Sequence, residues 1–178
     1  MKESLYLHIP TYEELWYRRQ FMEDPATMSY NRGYDLDFDR YDPETGCIAF
    51  PKEKWADWYA YFIGQEPERY YAYIVRESDG AFLGEVNVHR SQDKPWYEMG
   101  ILLEAKYRGK GYAAEALELL LKHAFEDMGA EAVHNYFEAE REAAVRLHLA
   151  AGFTVYHQEK GVLKLLISRE EYFRQRRS

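Results

Sequence analysis

Residues 97–121 limit what this chain can become more than any other stretch. They read YEMGILLEAKYRGKGYAAEALELLL. The first seven are mostly apolar and too few for a helix, which predicts a buried strand, Tyr97–Leu103. The segment from Tyr107 to Tyr112 cannot continue that strand, because its two glycines open backbone conformations closed to other residues. From Ala113 the apolar spacing turns helical, and Ala113, Leu117, Leu120, Leu121 and Ala124 share one face. A glycine turn that opens a helix leaves several backbone N–H groups without partners. The positive end of the helix dipole lies there, and Arg108 and Lys110 add whole charges. This combination suits an anion, most often a phosphate or diphosphate.

The rest of the chain supplies strands and helices on both sides of that unit. Residues 5–9 alternate and predict a first strand. Thr11 and Glu14 have capping-box spacing, so a helix runs from there to about Met22, where Asp24-Pro25 stops it. Residues 26–50 are irregular and dense in tyrosine and aspartate. Either they form a lid that receives an amine between aromatic rings and carboxylates, with Tyr30, Tyr34 and Asp35 as contacts, or they are a surface loop whose tyrosines cover the core. Pro51 opens a helix whose apolar face is Trp55, Trp58, Tyr59 and Phe62. The strand Arg69–Arg76 and the strand over residues 81–89 form a hairpin around Glu77-Ser-Asp-Gly80. The strand Ala132–Glu138 is followed by a helix over residues 141–151, with Gly152 as its C-cap. Residues 154–159 and 162–167 make a last hairpin around Lys160-Gly161. Ser168 then starts another helix, which leads into a basic tail expected to be solvated. Hairpins followed by a strand–helix–strand–helix unit predict a mixed sheet flanked by helices. No repeat or linker divides the chain, so residues 1–178 are expected to form one domain.

Composition narrows the partners. A net charge of −8 disfavours nucleic acid, whose affinity rests on phosphate contacts, and would attract a cationic substrate. No apolar run is long enough to span a bilayer, and the first residues lack a signal-type apolar stretch, so a cytoplasmic protein without a membrane partner is expected. Cys47 is the only cysteine and is read as a packing residue. The six histidines are scattered without metal-ligand spacing, so no metal is expected. A monomer and a homodimer both remain open.

The glycine turn resembles the coenzyme A loop of the GNAT (Gcn5-related) N-acetyltransferases. That family's pattern is Gln or Arg, two residues, Gly, one residue, then Gly or Ala; Arg108, Gly111 and Ala113 fill it. A second family signature, a helix running into Gly and Phe, is matched by AVRLHLAAGF over residues 144–153. The resemblance covers about residues 71–167. It implies an α/β (α+β) GNAT-like fold: a mixed, mostly antiparallel twisted sheet flanked by helices. Two parallel strands, residues 96–103 and 132–138, would splay apart to form the acyl-CoA cleft. It also implies acetyl-CoA as co-substrate, with the pantetheine arm beside Ile101, Leu102 and Leu103. The diphosphate would then lie on the turn formed by Arg108, Gly109, Lys110, Gly111, Tyr112 and Ala113.

The implied reaction is direct acetyl transfer to an amine, and it sets chemical demands. A lysine-like amine has a pKa of about 10.4, so it must lose a proton before it can attack. Glu98, on the central strand, is the first candidate base, with a solvent-facing Glu98 and a water relay as the other reading; His89 is the next candidate. By strand alternation Glu98 faces away from Ile101. Many family members place a tyrosine four residues before the Gly-Phe pair as a general acid. Here that position is His148, either a proton donor or a packed, hydrogen-bonded histidine. Arg141 stands where the family often has asparagine, and His134 and Asn135 lie on the second splayed strand. The acceptor is open among a small cationic amine, a protein N-terminus and a lysine. The changed residue at His148 motivates an alternative, a non-catalytic acyl-CoA-binding sensor or regulatory module of the same fold. A nucleotide loop is disfavoured because the turn lacks a Gly-Lys-Ser/Thr ending.

Overall fold

The computed structural model describes residues 3–177. Among them, seven strands form one sheet in the order β1-β2-β3-β4-β5-β7-β6. The strands are β1 (Leu5–His8), β2 (Arg69–Arg76), β3 (Phe82–Arg90), β4 (Tyr97–Leu103), β5 (Ala132–Glu138), β6 (Thr154–Glu159) and β7 (Val162–Ser168). All neighbours are antiparallel except β4 and β5. That parallel pair is in register only at Tyr97↔Val133 and Glu98↔His134. The cause lies on the outer sides of the two strands. β4 pairs with β3 along its whole length, to Leu103, and β5 pairs with β7 from Ala132 to Glu138. Each strand therefore follows its outer neighbour, and the inner edges part.

Helices cover both faces. α1 (Leu15–Met22), α2 (Pro25–Met28) and α3 (Trp55–Phe62) lie on one side; α4 (Tyr112–Lys122), α5 (Glu142–Ala151) and α6 (Arg169–Arg176) lie on the other. β2 shows the consequence. Tyr70, Ala72 and Ile74 face the α4 side, Tyr71, Tyr73 and Val75 face α1 and α2, and all six are buried. A strand covered on both faces loses the simple polar alternation.

The apolar face predicted for α4 is the buried one: Leu117, Leu120, Leu121 and Ala124 have no exposed surface. Burying a leucine contributes about 1.5–3 kcal/mol, so this face anchors α4 to the sheet and fixes the turn at its start. The helix begins at Tyr112 and ends in a π-helical turn, His123–Asp127, whose Ala124 and Phe125 both reach the core.

Two segments differ from expectation. Asp24-Pro25 ends α1 but also starts α2, because the Asp24 carboxylate accepts the Ala26 N–H at 3.2 Å and Pro25 needs no donor there. The basic C-terminal segment is not a free solvated end. Ser168 caps α6, which runs to Arg176, and that guanidinium pairs with Glu118 of α4 at 2.7 Å and lies 4.0 Å over the Tyr172 ring. Cys47, within the irregular loop, is half-buried against the side of the sheet that α1 and α2 cover. Among the described residues no helix is long and apolar enough to cross a membrane.

Candidate active site

The parting of β4 and β5 opens a cleft of about 760 Å³. Gly100, Ile101, Leu102 and Leu103 line it from β4, and Asn135, Tyr136 and Phe137 from β5. The glycine turn, the first residues of α4, and α5 complete the wall. The volume is within the usual range for a ligand site. Ile101 packs toward α4 and Leu102 toward α1, so the β4 backbone edge is what faces the gap.

The turn is shaped by backbone, not by crowding. Gly109 and Gly111 have φ of 74° and 85°, and a Cβ on either would meet no heavy atom within 4 Å. Only the left-handed conformation requires glycine there. Gly111 is the N-cap of α4, so the N–H groups that follow it start a helix and have no intrahelical acceptor. Arg108 is committed to the scaffold. Its Nε donates to the Leu103 carbonyl at 3.2 Å and a terminal nitrogen donates to the Thr27 carbonyl at 2.6 Å, while burial pulls its pKa down. It ties the turn to the end of β4 and to α2. Lys110 is exposed and lies outside the cleft wall. The Tyr112 hydroxyl is engaged by Glu3 and by Arg76, so this residue offers the turn its backbone. Ala113 lines the cleft.

His148 reaches the cleft from α5 and is 1% exposed. Its Nδ1 donates to the Ala144 carbonyl at 2.7 Å, and its Nε2 accepts from the Asn135 amide at 2.9 Å. The Asn135 oxygen meanwhile accepts the Tyr136 N–H at 2.9 Å, which orients the amide. Burial lowers the His148 pKa, with the Ala144 carbonyl partly opposing and Arg141 assisting. The ring is therefore neutral and presents a lone pair, not a proton, toward β5.

The irregular loop divides in two. Tyr30 lines the cleft beneath the Arg141 guanidinium, 4.8 Å from the ring, and burial raises its pKa. The Tyr34 hydroxyl donates to Glu140, so the loop spans to the β5–α5 connection, next to Arg141 of the cleft wall. Asp35 is exposed, and Asp39 faces Lys54 at 3.2 Å, turned outward.

Glu98 faces away from Ile101, as alternation requires, into a second cavity of about 550 Å³. Its carboxylate accepts from Trp96 Nε1 at 2.7 Å and from His134 Nδ1 at 2.7 Å. His134 Nε2 in turn meets the Tyr156 hydroxyl at 2.8 Å, and the Trp96 ring stacks on the imidazole at 4.6 Å. Tyr136 borders both cavities. His89 is exposed and sits opposite Glu98 in the β3–β4 register. Sequence reasoning found Glu98 and noted His134, but not their pairing, nor the parts of Trp96 and Tyr156. The spacing of Trp96 and Glu98 on one strand face was the available signal. Nothing local to Tyr156 links it to β4. Among the described residues no group of three or more His, Cys, Asp and Glu side chains is placed to hold a metal ion.

A family model described as the acetyltransferase (GNAT) domain matches residues 7–154. This chain belongs to the GNAT acetyltransferases. Solved structures agree on the fold. A GNAT-family acetyltransferase from Bacillus anthracis superposes with a TM-score of 0.71 at 18% identity, covering 96% of this chain and 99% of that one. A spermidine N-acetyltransferase from Vibrio cholerae, in complex with CoA and spermine, gives 0.75 at 15% identity, with 95% and 98% covered. A nucleotide-linked sugar GNAT gives 0.71 at 17% identity, with 98% and 92% covered. A search of curated protein sequences gives no match. In this GNAT chain the two splayed strands are β4 and β5.

Proposed function

We propose that this GNAT protein transfers an acetyl group from acetyl-CoA directly to a primary amine, either a small cationic amine or a protein N-terminus or lysine. The observation that carries the proposal is the parting of β4 and β5 beyond Glu98 and His134, above a glycine turn that opens α4. The pantetheine arm would pair with the freed edge of β4 at Ile101, Leu102 and Leu103. The diphosphate would lie on the N–H groups from Gly109 to Ala113, with Arg108 holding the turn in shape. The net charge of −8 favours a cationic acceptor.

The amine arrives mostly as ammonium, so a base is needed, and a positioned one contributes roughly 10²–10⁴-fold. The group around Glu98 stands on the face from which such an amine would come. The thiol released has a pKa of roughly 8.5 by the cysteine reference, so the thiolate leaves without obligatory protonation. His148 fits that limit: it holds Asn135 at the cleft wall and has no proton turned toward it. The same observation favours a second reading, an acyl-CoA-binding module without catalysis.

Both are tested by incubating the protein with acetyl-CoA and amines of each class, following free thiol and the mass of the amide. The expected result is one CoA released per amide formed. Tight acetyl-CoA binding with no amine acetylated would leave the second reading standing. Absence of acetyl-CoA binding would remove both.

A further inference from the structure

We propose that His134 is the general base of acetyl transfer, held by Glu98 at one ring nitrogen and reached through the Tyr156 hydroxyl at the other. The proposal rests on the acetyltransferase function above and names the group that takes the proton.

The position comes from the sheet. Glu98 and His134 are the last paired residues before β4 and β5 part, so the imidazole stands at the point of the gap. Tyr136, two residues further along β5 on the same face, separates the cavity at His134 from the acyl-CoA cleft and borders both. An amine entering the second cavity meets this group on its way to the gap.

The tautomer follows from the partners. Both Glu98 oxygens are occupied, one by the Trp96 indole and one by His134 Nδ1, so the carboxylate accepts without being free to take the substrate's proton. With Nδ1 carrying the ring proton, Nε2 holds the lone pair, and it is aimed at the Tyr156 hydroxyl at 2.8 Å. The stacked Trp96 ring fixes the imidazole plane. His134 is 4% exposed and Tyr156 is 49% exposed, so the hydroxyl is the end that an amine can touch. Burial, and then the Glu98 charge, raise the Tyr156 pKa, so the phenol stays protonated and can hand a proton on. Carboxylate, imidazole and hydroxyl thus stand in the order that lets a hydroxyl proton move to a neutral imidazole while the carboxylate steadies the imidazolium. Glu98 is a positioning residue in this scheme.

The other charged and titratable groups nearby are His89 opposite Glu98, Asp93 and Lys94 before β4, His157 on β6 and Lys164 on β7. Asp93 would favour an approaching ammonium, and the two lysines would oppose more than one positive charge at that spot.

The step balances as follows. The ammonium gives one proton to Tyr156, whose own proton passes to His134 Nε2 and later to solvent. The amine nitrogen then forms a bond to the acetyl carbonyl carbon, and the carbon–sulfur bond breaks. The second amine proton is lost as the amide forms, and CoA leaves as thiolate and is protonated.

The test compares two acceptor probes: n-butylamine, an ammonium at neutral pH, and hydroxylamine, largely unprotonated there. His134→Gln should lower kcat with n-butylamine by about 10²-fold or more, the low end of general-base catalysis, and with hydroxylamine by less than about 5-fold. The melting shift given by acetyl-CoA should be unchanged. Glu98→Gln should lose less, in the same pattern, since its amide oxygen can still accept from Nδ1. Tyr156→Phe alters a half-exposed side chain and serves where His134→Gln does not fold; it should slow n-butylamine several-fold and spare hydroxylamine. Equal losses on both probes would mean a structural role and overturn the proposal, as would full activity in His134→Gln. Wild-type protein that binds acetyl-CoA and acetylates neither these probes nor any other amine would instead overturn the transferase function itself.

Discussion

Replacing Gly111 with alanine separates the fold of the glycine turn from its use. Gly111 has a φ of 85°, and a Cβ there would meet nothing within 4 Å. No steric term enters, so the whole cost is that of a left-handed residue with a side chain, about 1–2 kcal/mol. For a chain of this size each kcal/mol moves the midpoint by roughly 2–4 °C, so the variant should melt about 2–8 °C lower. Gly129 provides the control. It has a φ of 72°, equally open space, and lies beyond the far end of α4, away from the cleft. Gly129→Ala should lose similar stability. The two should differ with ligand. If relaxation of residue 111 turns the α4 N–H groups and weakens acetyl-CoA tenfold, the ligand adds about 1.4 kcal/mol less at a fixed concentration, a shift smaller by roughly 3–6 °C. Differential scanning fluorimetry with and without acetyl-CoA reads both quantities. An equal ligand-dependent rise in the two variants would refute the claim that this turn holds the cofactor. An undiminished melting point in Gly111→Ala would refute the conformational argument.

Three further outcomes are expected. Burial holds the folded-state pKa of His148 below its ordinary 6.5, so the neutral ring adds stability that is present above 6.5 and lost as pH falls through the folded value; between pH 7.5 and 5.5 the wild type should therefore lose more melting temperature than His148→Gln. Gly84→Ala would place a Cβ 2.0 Å from the Leu102 carbonyl oxygen and 2.9 Å from the Leu103 Cα, both backbone atoms of β4, so urea unfolding should show a loss of about 3 kcal/mol or more. Tyr34→Phe removes the tie between the loop that carries Tyr30 and the β5–α5 connection that carries Arg141, both residues of the cleft wall; stability should change little, and acetyl-CoA affinity should fall several-fold in titration calorimetry.

What could be read from the sequence was local. The strand, glycine turn and helix over residues 97–121 announce themselves because periodicity and φ preference act within a few residues. The same holds for the hairpins and for Gly152, which has a φ of 107° as the C-cap of α5. That His148 faces inward was legible from its helix neighbours Ala144, Leu147 and Ala151. Its tautomer was not, because it depends on Asn135, a residue on another strand. The Glu98–His134 contact depends on how two strands join in register, and the link to Tyr156 depends on β6 lying beyond β7. The helix start at Ser168 was legible, but the docking of its basic end was not, because its anchor, Glu118, is on α4. Long-range pairing decided each of these, and single-sequence patterns carry no record of it.

The most direct test of the central claim is a thermal melt of the wild-type protein alone and with acetyl-CoA, CoA or ATP. A ligand at 100 times its Kd adds about 2.7 kcal/mol, which for a chain of this size is a rise of roughly 5–10 °C. A rise of that order with acetyl-CoA and CoA, and not with ATP, is the expected result. No rise with acetyl-CoA at saturating concentration would contradict the assignment of the gap between β4 and β5 as an acyl-CoA site.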